Sequence, residues 1–179
     1  MQRLWMLALG AALIAARADA TVLVPADLGE LSRDARVIVR GRVVAVDSRW
    51  TTDRRSVETL VTLDVETYLK GSLGDTVTFR VPGGRLGRYR SIVVGAPEFA
   101  PDQRVILFLG HQGPSVPYIL GLSQGVYRVA RTASTWVVSP PALVAAPAGQ
   151  RIVRGDPARR PLALDAFERE VRALAGAER

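Results

Sequence analysis

The sequence contains no cysteine. That excludes disulfide bracing, thiolate catalysis and thiolate metal ligation. It also excludes a lipid-modified N-terminal cysteine. His111 is the single histidine, so the clustered imidazoles that hold zinc or copper are missing as well. Of the 24 basic residues only Lys70 is a lysine; the others are arginines, whose charge is permanent. Aromatic residues make up 6% of the chain, few for a protein that would stack bases along a basic groove. After residue 20 no apolar run approaches the roughly 20 residues that a membrane-spanning helix needs. No D-x-D-x-D-G calcium loop occurs. The expectation is a protein with no metal, no cofactor and no nucleic-acid partner.

What is present begins with MQRLWMLALGAALIAARADA. Arg3 supplies a positive start, an apolar run from Leu4 to Ala16 follows, and Ala18-Asp19-Ala20 offers the small residues that a signal peptidase reads. Residues 1–20 read as a secretory signal peptide, with cleavage after Ala20 or after Ala18. The mature chain is then expected in the periplasm or the extracellular space. Its net charge is +7, which favours acidic neighbours such as an anionic envelope, or simply keeps the surface soluble.

Periodicity in the remainder is that of strands. In Val57–Lys70, Val57, Thr59, Val61, Leu63, Val65, Thr67 and Leu69 share one face, while Glu58, Thr62, Asp64, Glu66 and Lys70 share the other. β-Branched residues throughout favour a half-buried strand. TVTFRV repeats the alternation with Val77, Phe79 and Val81 inward. RVIVRGRVVAV places Val37, Val39, Val43 and Ala45 beside Gly41, and a glycine inside a strand marks a bend, a bulge or a close backbone approach. Arg40 and Arg42 are expected to face Glu58, Asp64 and Glu66 as cross-strand charges. RVILFLG reads as a fully buried strand, and YILGL, GVYRVA and STWVVS as three shorter ones. Short connections imply antiparallel pairing.

Two helices frame these strands. Residues 26–35 place Leu28, Leu31 and Ala35 on one face. In residues 165–179, Asp165 and Glu168 spell a capping box and Phe167, Val171 and Leu174 line one face. Residues 141–164 are rich in Pro, Ala and Gly and read as an extended connector. The expected fold is mainly β: a small antiparallel OB-like barrel or sandwich over residues 21–140, with a short N-terminal helix and a C-terminal helix packed on the barrel.

The most conspicuous stretch is VPGGRLGRYRSIVVGAPEF, residues 81–99. Gly83-Gly84-Arg85-Leu86-Gly87 lacks both the Gly-Lys-Ser/Thr of a phosphate loop and the G-x-G-x-x-G of a dinucleotide site. It reads as a connection between strands whose glycines take positive φ, followed by a strand-like SIVVG. Arg85, Arg88 and Arg90 make its rim anion-attracting. Pro97-Glu98-Phe99-Ala100-Pro101 reads as a stiff loop with Phe99 at an apolar tip.

The order of a short helix ending Asp-Ala, then VIVRGRVVAV, a long strand ending YLKG, VPGG, GAPEFAPDQRVILFLG and GLSQGVYRV resembles a group of uncharacterised exported bacterial proteins. Residues 34–71 are similar to the OB-like barrel of netrin-like modules and tissue inhibitors of metalloproteinases. That resemblance implies a barrel and an inhibitor-like role. Such inhibitors use an N-terminal cysteine on the protease zinc, and this chain has none, so no residue is carried over.

Other chemistries have thin support. A triad would need His111 close to a serine and a carboxylate, for which Ser115 and Asp102 are nearest in sequence. Trp50 and Trp136 would suit a sugar-stacking platform or the margin of the sheet. Arg154-Gly155-Asp156 spells an adhesion tripeptide and fits a turn. The expected function is an exported, non-enzymatic binding module whose partner is another exported or envelope protein, met at a rim holding Arg85, Arg88, Arg90 and Phe99. A hydrolase using His111 and a structural envelope component held by charge are the alternatives.

Overall fold

A computed structural model describes residues 26–111, 113, 115–141 and 161–176. The expected signal peptide, most of the expected connector and the Arg154-Gly155-Asp156 triplet lie outside the described residues. Helix α1 (Leu28–Asp34) leads into two long strands, β1 (Val37–Trp50) and β2 (Val57–Lys70). Then come β3 (Thr76–Pro82), β4 (Gly84–Leu86), β5 (Tyr89–Ser91) and β6 (Arg104–Gly110). After β7 (Tyr118–Ile119) and a 3₁₀ turn at Leu122–Gly125, the chain forms β8 (Val126–Arg131), β9 (Trp136–Ser139), β10 (Leu162–Ala163) and helix α2 (Leu164–Gly176).

Five strands make a ring. β1 pairs with β2, β2 with β3, β3 with β7, β7 with β6, and β6 returns to β1. This is an OB-like barrel, from which β8, β9 and β10 extend the sheet beyond β6. The ring is uneven. β1 and β2 match over a register running from Ile38↔Lys70 to Trp50↔Val57, whereas β3 meets β7 through the single pair Arg80↔Tyr118. That pair is parallel, not antiparallel. Closing five strands into a ring requires one such seam here, because β7 runs back alongside β6 before it reaches β3.

The bend in β1 comes from its sequence. The register shifts between Ile38 and Val39, between Arg40 and Gly41, and between Val43 and Ala45. At Gly41 a Cβ would lie 2.3 Å from the Asp64 carbonyl oxygen and 2.7 Å from Leu63 Cγ. Only glycine fits, so the expected close approach of a second backbone is what the position serves. The shifts skip Leu69 and Glu66 on β2 and Val44 on β1, and such irregularities increase the coil of the long β1–β2 pair as the ring requires.

Two cores follow from one strand. In β6, Val105, Leu107 and Leu109 point into the barrel beside Val39, Val61, Leu63 and Phe79. Ile106 and Phe108 point outward, under the helices, to meet Leu31, Tyr127, Phe167 and Val171. Burial on both faces is why RVILFLG is a continuous apolar run and does not alternate. Leu69 joins the outer core and not the inner one, as the bulged β1–β2 register allows.

The helices are fixed by polar contacts as well. Asp27 caps α1 by accepting from the Glu30 N–H at 2.6 Å. At its other end the Lys70 Nζ donates to the carbonyls of Ser32 (2.9 Å) and Arg33 (2.8 Å), a cation at a helix C-terminus. The sole lysine thus ties β2 to α1. In α2, Phe167 and Val171 are buried and Leu174 is half-buried, the expected face. The capping box does not form. Asp165 lies in the first turn and pairs with Arg169 at 3.1 Å, which holds its carboxyl below the usual range. Glu168 instead turns under the sheet to Arg40 and to Arg172. A partly buried guanidinium outcompetes a backbone N–H for that carboxylate. Residues 162–163, expected in the connector, pair with Val138 and Val137 of β9.

Candidate functional site

Between β3 and β6 the chain leaves the barrel as an excursion over residues 83–103. β4 and β5 form a small hairpin there, with Arg85 opposite Arg90. Gly83 (φ 87°) and Gly84 (φ 141°) open it, and Gly87 (φ 58°) turns it, as positive φ at these glycines predicts. Thr59 Oγ1 donates to the Gly83 carbonyl at 2.8 Å and lies 3.2 Å from Ser48 Oγ, so the base of the excursion is tacked onto β1 and β2. A Cβ on Gly84 would meet that same hydroxyl pair.

SIVVG is not a strand. Only Ser91 belongs to β5, and Ile92 (73%) and Val94 (84%) stand in solvent. Together they form an exposed apolar patch on the excursion. Tyr89 packs edge-on against Trp50 with centroids 5.0 Å apart, and the Arg88 guanidinium lies 5.1 Å above the Tyr89 ring. The rim therefore mixes apolar, aromatic and cationic groups.

The four expected rim residues divide. Arg85, Arg88 and Arg90 are all exposed and none of them has an ion pair among the described residues. Phe99 is not an apolar tip. It is half-buried and packs edge-on against Phe79 of the inner core at 5.3 Å. Proline on either side stiffens the loop, and the ring packs against the inner core. The exposed apolar groups that sequence reasoning missed are Ile92 and Val94; their β-branched run reads as a strand, and only the absence of a pairing partner leaves them bare.

On β1 and β6 several arginines are matched by carboxylates. Arg40 lies 3.1 Å from Glu66 and also contacts Glu168. Arg42 meets Asp64 at 3.5 Å and Asp102 at 3.1 Å. Arg104 meets Glu66 at 2.7 Å. Glu58 pairs with Arg49 at 2.8 Å, not with Arg40 or Arg42.

His111 and Asp102 flank opposite ends of β6, which at about 3.3 Å per residue separates them by roughly 20 Å. Asp102 already serves Arg42. The described residues around His111 in its open depression, Arg36, Gly71, Ser72 and Gly113 among them, include no carboxylate. The expected triad partners are not brought together. Gly121-Leu122-Ser123-Gln124-Gly125 spells the G-x-S-x-G of a nucleophile elbow, a pattern that residue-by-residue reading missed. Here it forms a 3₁₀ turn that runs into a strand, with the positive φ on Leu122 (55°) and not on the serine. A nucleophile elbow needs a strand-to-helix turn. No group of three or more His, Cys, Asp or Glu side chains that could hold a metal occurs among the described residues. Trp50 and Trp136 do not share a platform: Trp136 lies 4.8 Å from the Arg104 guanidinium on β9, and Trp50 lies against β5.

No helix among the described residues is long and apolar enough to cross a membrane. Compared with protein-family models, with curated proteins and with solved structures, the chain matches none.

Proposed function

We propose that this protein is an exported binding module without catalytic chemistry, and that its rim at residues 83–100 docks another exported or envelope protein. The observation that carries the reading is the exposure of Ile92 and Val94 next to Arg85, Arg88 and Arg90, which have no ion pair among the described residues. On the barrel strands Arg40, Arg42, Arg49 and Arg104 are each paired with a carboxylate, whereas the rim arginines are available to a partner with acidic groups. Aromatic and arginine side chains around an apolar centre are also what protein interfaces favour. Inhibition of an exported protease would be one form of such docking, with the rim entering the protease cleft.

The test is capture from the envelope extract of the source cell, run in parallel with the mature protein and an Ile92→Ser/Val94→Ser variant. The wild type retains a partner in stoichiometric amount and the variant loses it, while the melting temperatures agree within 1–2 °C or so, as expected for exposed substitutions. Equal retention by both proteins would remove the rim as the docking surface.

A further inference from the structure

A cavity of about 380 Å³ opens where β3 and β7 diverge. Its existence follows from the seam. With Arg80↔Tyr118 as the only paired position, the strands separate on one side, and the β1–β2 turn, the excursion and the 3₁₀ turn stand around the gap. The walls are apolar: Val57, Val81, Val93, Pro97, Ile119 and Leu122. The size falls within the range of small-molecule sites.

Three features make this a site and not a packing defect. Arg80 is exposed on its mouth and makes no side-chain hydrogen bond or ion pair among the described residues. Glu58, the other charged residue of the lining, is neutralised by Arg49 at 2.8 Å, so among the described lining residues Arg80 carries the one uncompensated charge. Leu122 reaches the wall from a left-handed backbone (φ 55°), a conformation that costs a bulky residue free energy and that concentrates at ligand sites. The Ser123 N–H, donating to the Gly95 carbonyl at 2.9 Å, holds that turn against the excursion.

The geometry points to a ligand with one apolar chain and a single anionic head group, the chain in the seam cavity and the head group on Arg80. The class is that of a medium-chain carboxylate or the acyl end of an acidic lipid. The cavity takes Val93 and Pro97 from the excursion but none of Arg85, Arg88, Arg90, Ile92 and Val94, so ligand binding here and docking at those rim residues are distinguished by separate variants.

Octanoate, octanol and octyltrimethylammonium are titrated calorimetrically against the mature protein, with 1-anilinonaphthalene-8-sulfonate as a displaceable fluorescent probe. Octanoate binds one per chain and displaces the probe. Octanol and the cationic analogue bind at least about tenfold more weakly, the loss expected for one charge-assisted contact. Arg80→Gln weakens octanoate by a similar factor, and Ser56→Trp, an exposed substitution at the mouth, blocks it. Ile92→Ser/Val94→Ser leaves octanoate binding unchanged. Equal binding of the three probes, or unchanged affinity in Arg80→Gln, would overturn the assignment. So would loss of octanoate binding in the Ile92/Val94 variant, which would move the ligand to the rim. Phosphatidylglycerol vesicles distinguish the source: retention on vesicles that is unaffected by Ser56→Trp, without octanoate binding, would mean a surface charge contact and would also overturn the cavity.

Discussion

Two arginine-bearing regions of this barrel behave oppositely. On the sheet, Arg40, Arg42 and Arg104 each meet at least one carboxylate, and Glu66 serves two of them. On the excursion, Arg85, Arg88 and Arg90 meet none among the described residues, and Arg85 and Arg90 stand directly opposite each other as like charges. The first group holds strands in register and α2 on the sheet. The second group has no role in closing the fold. The same residue type is structural in one place and free in another, because carboxylates lie across β1, β2 and α2 and not across β4 and β5.

Four tests would sharpen that contrast. The largest effect is expected at the centre of the paired region, where Gly41→Val drives a side chain into the Asp64 carbonyl at 2.3 Å. The chain should lose more than about 4 kcal/mol and fail to accumulate in soluble form; a cooperative melt near the wild-type temperature would show that β1 does not need its bulge. Next comes Arg40→Met. It strips Glu168 of a partner in a site where the two side chains are 20% and 11% exposed. A buried carboxylate left with fewer counter-charges should cost about 2–3 kcal/mol in denaturant unfolding. Adding Glu168→Leu should recover most of it, since an apolar pair of similar size replaces an ion pair at little cost. No recovery would mean that Arg40 acts through Glu66 alone.

A smaller loss is expected for Phe99→Ala, which removes half-buried area and the edge contact to Phe79. About 1.5–2.5 kcal/mol should be lost, read as a lower melting temperature with partner retention intact. The reverse pattern would make Phe99 an interface residue. The smallest effect belongs to the unpaired region. Arg85→Ser/Arg90→Ser should change stability by less than about 0.5 kcal/mol, with a slight gain from relieved repulsion. A loss above 1 kcal/mol or so would show that these arginines support the fold after all.

Much of the barrel is legible in the chain. Alternation from Val57 to Val65 and in TVTFRV gives their buried faces directly, because a half-buried strand must alternate; beyond Val65 the register shifts turn Tyr68 to the inner core and Leu69 to the outer one. Gly41 announces the close approach it makes. The continuous run in β6 reads as full burial, although nothing local says which residues enter which core. The excursion is where local reading fails. Ile92-Val93-Val94 has strand propensity but no neighbour to pair with, and propensity without a ladder leaves apolar side chains in water. Phe99 between prolines has the look of a loop tip, yet the barrel offers it a hole beside Phe79. Asp165 and Glu168 have capping spacing, yet Arg40 on a distant strand claims the glutamate. For Phe99 and Glu168 a local rule lost to a partner far away in sequence; for Ile92–Val94 it lost for want of one.

The amino-acid order alone determined the strand pattern, the amphipathic helices and the absence of thiol and clustered-imidazole chemistry, since these depend on side chains within one element or on residue types that are simply missing. Only the tertiary structure decided which arginines are neutralised, where the ring closes through a single pair, and that a cavity opens at that seam. Those features depend on which strands become neighbours, and a contact across 128 residues, such as Arg40 with Glu168, leaves no periodic trace in the chain.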